Sequence, residues 1–210
     1  MLKTNINMKS LLIDHTPHQS AKLTIVENKQ LAEGKSLVTL VGKLQEAEQK
    51  NGNGRVYPRE ILEREVKKYA EGPIKTRTAL GELDHPDSTV VNLNNVSHNI
   101  TEMHWDGNDL VGTVEILPTP SGNILRDLLQ SGILLGISSR GLGSVKKDMR
   151  EGADVVQDDF DLIAFDFVSN PSTQGAFMYP QGKINESVEN KIINPYNNIE
   201  RIIHNIISEL

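Results

Sequence analysis

Cysteine is absent from this chain of 210 residues. That excludes disulfides, thiolate nucleophiles and Cys-ligated zinc, so any covalent catalysis must use another nucleophile; the chain suits a reducing compartment without requiring one. Also missing is any run of about eighteen apolar residues, and residues 1–10 hold no long apolar stretch after their lysines. A soluble, unexported protein with no membrane partner is expected. There is no basic excess: the formal net charge is -6, whereas a broad phosphate-binding surface needs clustered Lys and Arg to displace counterions. Nucleic acid is therefore not an expected partner. No internal repeat is present, and the only compositional bias is an Asn-rich stretch near the C-terminus.

What is present suits one compact domain with tails. Residues 1–35 show no sustained period and read as a loosely organised leader, propeptide-like, with room for one strand. The run Leu37-Val38-Thr39-Leu40-Val41 predicts a buried strand over 36–47, and Asn51-Gly52-Asn53-Gly54 a turn. Leu62, Val66 and Tyr69 fall on one face of a helix over 58–70 that Gly72-Pro73 ends. Residues 96–105 and 110–117 flank Asp106-Gly107-Asn108-Asp109 as a β-hairpin would. Ser121-Gly122-Asn123 is read as the cap of a short helix carrying Ile124, Leu125, Leu128 and Leu129, closed by Gly132 and feeding a strand through Ser138. In residues 158–168, Phe160, Leu162, Ala164, Asp166 and Val168 share one side of a strand, which leaves one carboxylate in an apolar row. The folded domain is expected over 36–180. Residues 181–210 read as a linker and an amphipathic terminal helix, with Ile199, Ile202, Ile203, Ile206, Ile207 and Leu210 at helical spacing.

Two segments carry the chemistry: Gly81-Glu82-Leu83-Asp84-His85-Pro86 and, some fifty residues on, Gly136-Ile137-Ser138-Ser139-Arg140-Gly141-Leu142-Gly143-Ser144. A serine hydroxyl is a poor nucleophile until a base takes its proton, and an imidazole does this best when a third group fixes its tautomer. His85 is the candidate base, Ser138 the nucleophile, and Asp166 the orienter, because an unpaired carboxylate in an apolar row would be expensive and a histidine N–H would satisfy it. Backbone N–H groups around Ser139 and Gly141 could form an oxyanion hole, with Arg140 holding that loop or screening charge. Taken singly, each has a plainer reading: His85 as a turn residue, and Asp166 as a strand-end residue bonded to the turn at Ser169-Asn170-Pro171-Ser172.

The wording of four motifs, Asn53-Gly54-Arg55-Val56-Tyr57-Pro58, Ala79-Leu80-Gly81-Glu82-Leu83-Asp84-His85-Pro86, Trp105-Asp106-Gly107-Asn108-Asp109-Leu110-Val111-Gly112 and the Gly136–Ser144 segment, closely resembles the prohead core proteases of T-even-like tailed phages. The resemblance spans about two thirds of the chain. That family is similar in fold and chemistry to the herpesvirus maturation protease, so the resemblance implies an α+β fold with a small β-barrel surrounded by helices, residues 36–180 forming the protease domain. It implies a His-Ser-Asp serine endopeptidase, made as a zymogen, that cuts scaffold, core and capsid proteins inside the prohead, assembled in the bacterial host cytoplasm, and then cuts itself. It carries His85 over as the histidine, Ser138 as the nucleophile with Ser139 as a minor alternative, and Asp166 as the acid, Asp159 and Asp161 having the opposite parity. Cleavage after Glu with an aliphatic residue two positions earlier makes Glu186 the candidate first self-cleavage site, with Glu27, Glu33 and Glu46 as further matches. A homo-oligomer is implied; no metal or organic cofactor is.

Three alternatives remain open at this point. In the herpesvirus enzyme a second histidine replaces the acid; His98 is the candidate here, although it precedes the serine, and its plainer reading is a strand residue hydrogen-bonded within the barrel. The chain could also be a catalytically inactive structural component of the prohead core. A metal-dependent hydrolase using Asp84, His85 and His98 is weaker, since no familiar ligand spacing is present.

Overall fold

The computed structural model describes residues 9–13, 25–30, 36–149, 152–169, 173, 176 and 179–180. Their elements run β1 (Ser10–Ile13), β2 (Ile25–Gln30), β3 (Ser36–Glu46), β4 (Arg55–Val56), α1 (Arg59–Tyr69), β5 (Leu80–Glu82), β6 (Val96–Asp106), β7 (Asp109–Ile116), α2 (Pro120–Gln130), β8 (Gly136–Gly143), β9 (Val145–Asp148), β10 (Ala153–Val156), β11 (Asp161–Val168) and β12 (Tyr179–Pro180). A π-helical turn, Ala70–Ile74, extends α1.

The predicted hairpin is β6–β7, in which Asp106 faces Asp109 and Gly107 takes the positive φ of 58° that the tight turn needs. The cap of α2 differs from expectation. Thr119, not the Ser121-Gly122-Asn123 group, accepts the Gly122 N–H, and Pro120 begins the helix, where its missing N–H is harmless. Strand β8 starts only at Gly136, leaving Ile133 and Leu134 half exposed before it.

The fold is mixed α+β, as expected, but the small closed barrel is not seen among the described residues. The strands divide into three sheets: β1-β8-β11, β4-β10-β9, and β12-β3-β7-β6-β5 with β2 also on β3. Just past the end of β5 the backbone pairing with β11 is a single parallel bridge, Leu83 to Phe167, plus the Asp84 N–H on the Phe167 carbonyl at 2.8 Å. A longer ladder is prevented because Asp84, at φ 72°, turns the chain out of the sheet direction into a loop. Helices are sparse, two α-helices and the π turn among the described residues, so they flank the sheets and do not surround them.

Leu40, Leu44, Ile100, Val114, Ile116, Leu125, Ile137, Phe165 and Phe167 form the main core, where the large sheet meets β8 and β11. A second cluster joins α1 residues Ile61 and Leu62 to Leu12, Tyr57, Val156 and Phe160. The segment read as a leader supplies β1, which lies along β8, and β2, which lies along β3. Residues 181–210, including the expected linker, terminal helix and Glu186, lie outside the described residues, as does Glu33.

Candidate active site

Strand β8 lies between β1 and β11, and its alternation sorts the Ser138 segment onto two faces. Across the antiparallel β8–β11 pair, Ser138 is directly opposite Asp166 and Arg140 opposite Ala164, so Ser138, Arg140 and Asp166 share one face, with Cβ atoms of an opposed pair about 5 Å apart. Ser139 is opposite Phe165 on the other face, towards the main core. There its hydroxyl accepts from Gln45 Nε2 at 2.8 Å, while Thr173 donates to Gln45 Oε1 at 2.6 Å. The alternative nucleophile is thus engaged on the side away from Asp166.

His85 arrives from the end of β5. Gly81 lets that strand approach closely: a Cβ there would collide with the Phe165 carbonyl oxygen and the His98 ring. The turn at Asp84 follows, its carboxylate accepting the His85 N–H at 3.0 Å. His85 Nδ1 then meets Asp166 Oδ2 at 2.8 Å. Since an ionised carboxylate only accepts, Nδ1 carries the proton and Nε2 is left as the acceptor nitrogen, the tautomer a general base needs.

The Asp166 carboxylate is fully occupied. Oδ2 accepts from His85 Nδ1 and from Arg140 Nε at 2.8 Å; Oδ1 accepts the Glu82 N–H at 3.0 Å and Arg140 Nη2 at 3.2 Å. Burial by itself pushes this carboxyl up, but the hydrogen bonds from His85 and Arg140, the Arg140 charge and the Glu82 N–H outweigh it and hold Asp166 below the usual value. Arg140, fully buried, also donates from Nη2 to Glu82 Oε1 at 3.1 Å and from Nη1 to the Ser88 carbonyl at 2.6 Å. It both neutralises the acid and ties down the loop that carries His85. Residues 140–141 run as strand paired with β1 and β11, not as the open loop expected around the oxyanion donors Ser139, Arg140 and Gly141. Ser138 is fully buried.

His98 is held elsewhere, in β6. Its Nε2 donates to the Phe165 carbonyl at 3.0 Å, its Nδ1 meets the Ser97 hydroxyl at 2.9 Å, and its ring packs edge-on against Phe167 at 4.7 Å. Burial pushes its pKa down to about 4, against the opposing pull of Asp166 and of the Phe165 carbonyl. The third-member alternative and the metal set of Asp84, His85 and His98 thereby lose their ligand, since both His98 nitrogens are engaged; among the described residues no three such side chains are grouped to hold an ion. The other acids also lie apart: Asp159 accepts from the Ser144 N–H and hydroxyl, and Asp161 pairs with Lys9. Sequence reasoning passed over Glu82. Its only signal was position, an acid three residues before His85 in a segment short enough to be a buried strand.

A serine beside a buried carboxylate that orients a histidine is the equipment of serine-type acyl-transfer enzymes. Comparisons with known proteins narrow this. The family described as prohead core protein serine protease matches residues 4–189. The prohead core protein protease of Enterobacteria phage T4 is 38% identical over 149 residues, covering 70% of this chain and 69% of that one. The solved structure of the bacteriophage T4 capsid assembly protease superposes with a TM-score of 0.66 at 34% identity, covering 77% of this chain and 99% of that one. The chain belongs to the prohead core protein serine protease family.

Proposed function

We propose that this chain is the endopeptidase that matures a phage prohead, cutting scaffold or core proteins and the major capsid protein after Glu, and then itself. The observation that carries the reading is the His85–Asp166 pair at 2.8 Å on the face that Ser138 shares. In the mechanism, Ser138 Oγ bonds to the backbone carbonyl carbon of the substrate Glu while its proton passes to His85 Nε2; collapse of the tetrahedral intermediate breaks the C–N bond, the amine leaving with that proton. Water, deprotonated by His85, then hydrolyses the acyl-enzyme. Asp166 stays ionised throughout and steadies the imidazolium. No metal or organic cofactor has a part in these steps. Work inside the prohead as a homo-oligomer, a fold kinship with the herpesvirus protease, and backbone donors from residues 139–141 belong to the same proposal.

A zymogen reading is supported by the burial of Ser138 and of the His85 side chain, and by β1 lying along residues 140–143, where it occupies one side of the strand that would supply oxyanion donors. Intact mass over time tests the proposal, comparing wild type with Ser138→Ala in the presence of capsid and scaffold proteins. Fragments ending at Glu, first at Glu186, are expected from wild type alone. Identical fragments from both proteins would refute the assignment of Ser138, and an intact wild type within assembling proheads would favour the inactive core component.

A further inference from the structure

Two acids, not one, flank the buried arginine. Arg140 sits between Asp166 at 2.8 Å and Glu82 at 3.1 Å, and all three side chains are fully buried. With both carboxyl groups ionised, one cation faces two anions, an excess of one negative charge. Such an excess is unfavourable away from water unless a further cation joins it. The group in a position to supply that cation is His85, already bonded to Asp166 through Nδ1. The His85 ring binds Asp166 from β11; Arg140 from β8 shares that carboxylate oxygen, Glu82 from β5 binds Arg140, and Asp84 accepts the His85 backbone N–H, while His98 on β6 and Tyr69 on α1 both sense Asp166 from further off.

Resting on the serine-protease reading, we propose that Glu82 is a positioning residue for the reaction: its charge draws on Arg140, keeps Asp166 fully available to the imidazole, and so favours the His85 imidazolium that forms when Ser138 gives up its proton. Without Glu82, Arg140 would neutralise Asp166 alone and the His85–Asp166 pair would weaken. Glu82 also acts geometrically. Its Oε1 accepts the Asn92 N–H at 3.0 Å while its own N–H binds Asp166 Oδ1, so one residue ties both ends of the loop bearing His85 to the acid. Its second oxygen, Oε2, is buried with no hydrogen-bond partner among the described residues.

The test is an NMR titration of the His85 ring in the full chain carrying Ser138→Ala, so that self-cleavage cannot intervene. Introducing Glu82→Gln, which preserves shape and the two contacts of Oε1, should lower the His85 pKa by about half a unit to one unit. Asp87→Asn, an exposed acid of the same loop, should shift it by no more than about 0.2 unit, because solvent screens it. Equal shifts from the two variants, or none from Glu82→Gln, would overturn the proposal. Should Glu82→Gln fail to fold, the side-chain carbon shift of Glu82 in the parent chain decides: a carboxylate throughout the His85 titration is required, and a neutral acid overturns it. These readouts need no catalysis. Failure of the protease reading would show separately, as persistence of cleavage in Ser138→Ala.

Discussion

His85 and His98 are both buried against β11, yet they are opposites. His98 gives its proton to a backbone carbonyl and takes one from Ser97, so the neutral ring is satisfied on both sides and burial drives its pKa down to about 4. His85 meets a carboxylate instead, one kept ionised by Arg140. A carbonyl fixes a histidine as a structural wedge; a carboxylate prepares it to accept a second proton. Gly81 pairs with His98, its missing side chain admitting the His98 ring, and its strand leads on to His85.

The largest break in this contrast should come from Asp166→Asn. Loss of the ionised partner should reduce peptide cleavage by about a thousandfold or more and, because the amide NH2 of Asn cannot accept the donors that meet one of the two carboxylate oxygens, should lower unfolding free energy by about 1 to 3 kcal/mol in urea titrations. Both effects are expected together if the same carboxylate serves chemistry and packing.

Acid acts on His98 and on Asp166 in different pH windows. His98 has a folded pKa of about 4 against a usual 6.5, so between these values the unfolded chain binds a proton that the folded chain refuses. Stability should therefore fall as pH drops from 6.5 to 4, by about 3 kcal/mol in total, and this loss should be absent in His98→Gln. Asp166 runs in a lower window: its lowered folded pKa adds stability that is fully present above the usual carboxylate value and is lost as pH falls through the folded value. Urea titrations at stepped pH separate the two.

Gly81→Ala should destabilise by about 2 kcal/mol or more, since the new methyl meets a backbone carbonyl that cannot retreat without moving β11. Smallest is Ser139→Ala, expected to cost about 1 kcal/mol by stranding Gln45 Nε2, with peptide cleavage retained. A loss of cleavage equal to that of Ser138→Ala would erase the distinction between the two faces of β8.

Local patterns were legible in the sequence where local physics governs. The helix read over 58–70 is Arg59–Tyr69, and the hairpin turn falls at Gly107 and Asn108. The odd carboxylate of the Asp166 row announced its need for partners, and β11 carries it at the position opposite Ser138. Long-range pairing was not legible. Nothing in residues 10–13 marks them as the neighbour of β8, because Ser10 and Gly143 are brought together only by the tertiary fold. The same holds for Glu82, whose cation lies 58 residues away, and for Arg140, which reads locally as a loop cation and folds as a buried clamp.

The most direct test of the central claim is to treat the protein with a fluorophosphonate inside assembling proheads, where the proposed zymogen is converted to active enzyme, and to locate the adduct by peptide mass mapping in wild type, His85→Ala and Ser138→Ala. The account predicts an adduct on Ser138 in wild type, lost in both variants. An adduct on Ser139, or one on Ser138 that forms as fast without His85, would contradict it.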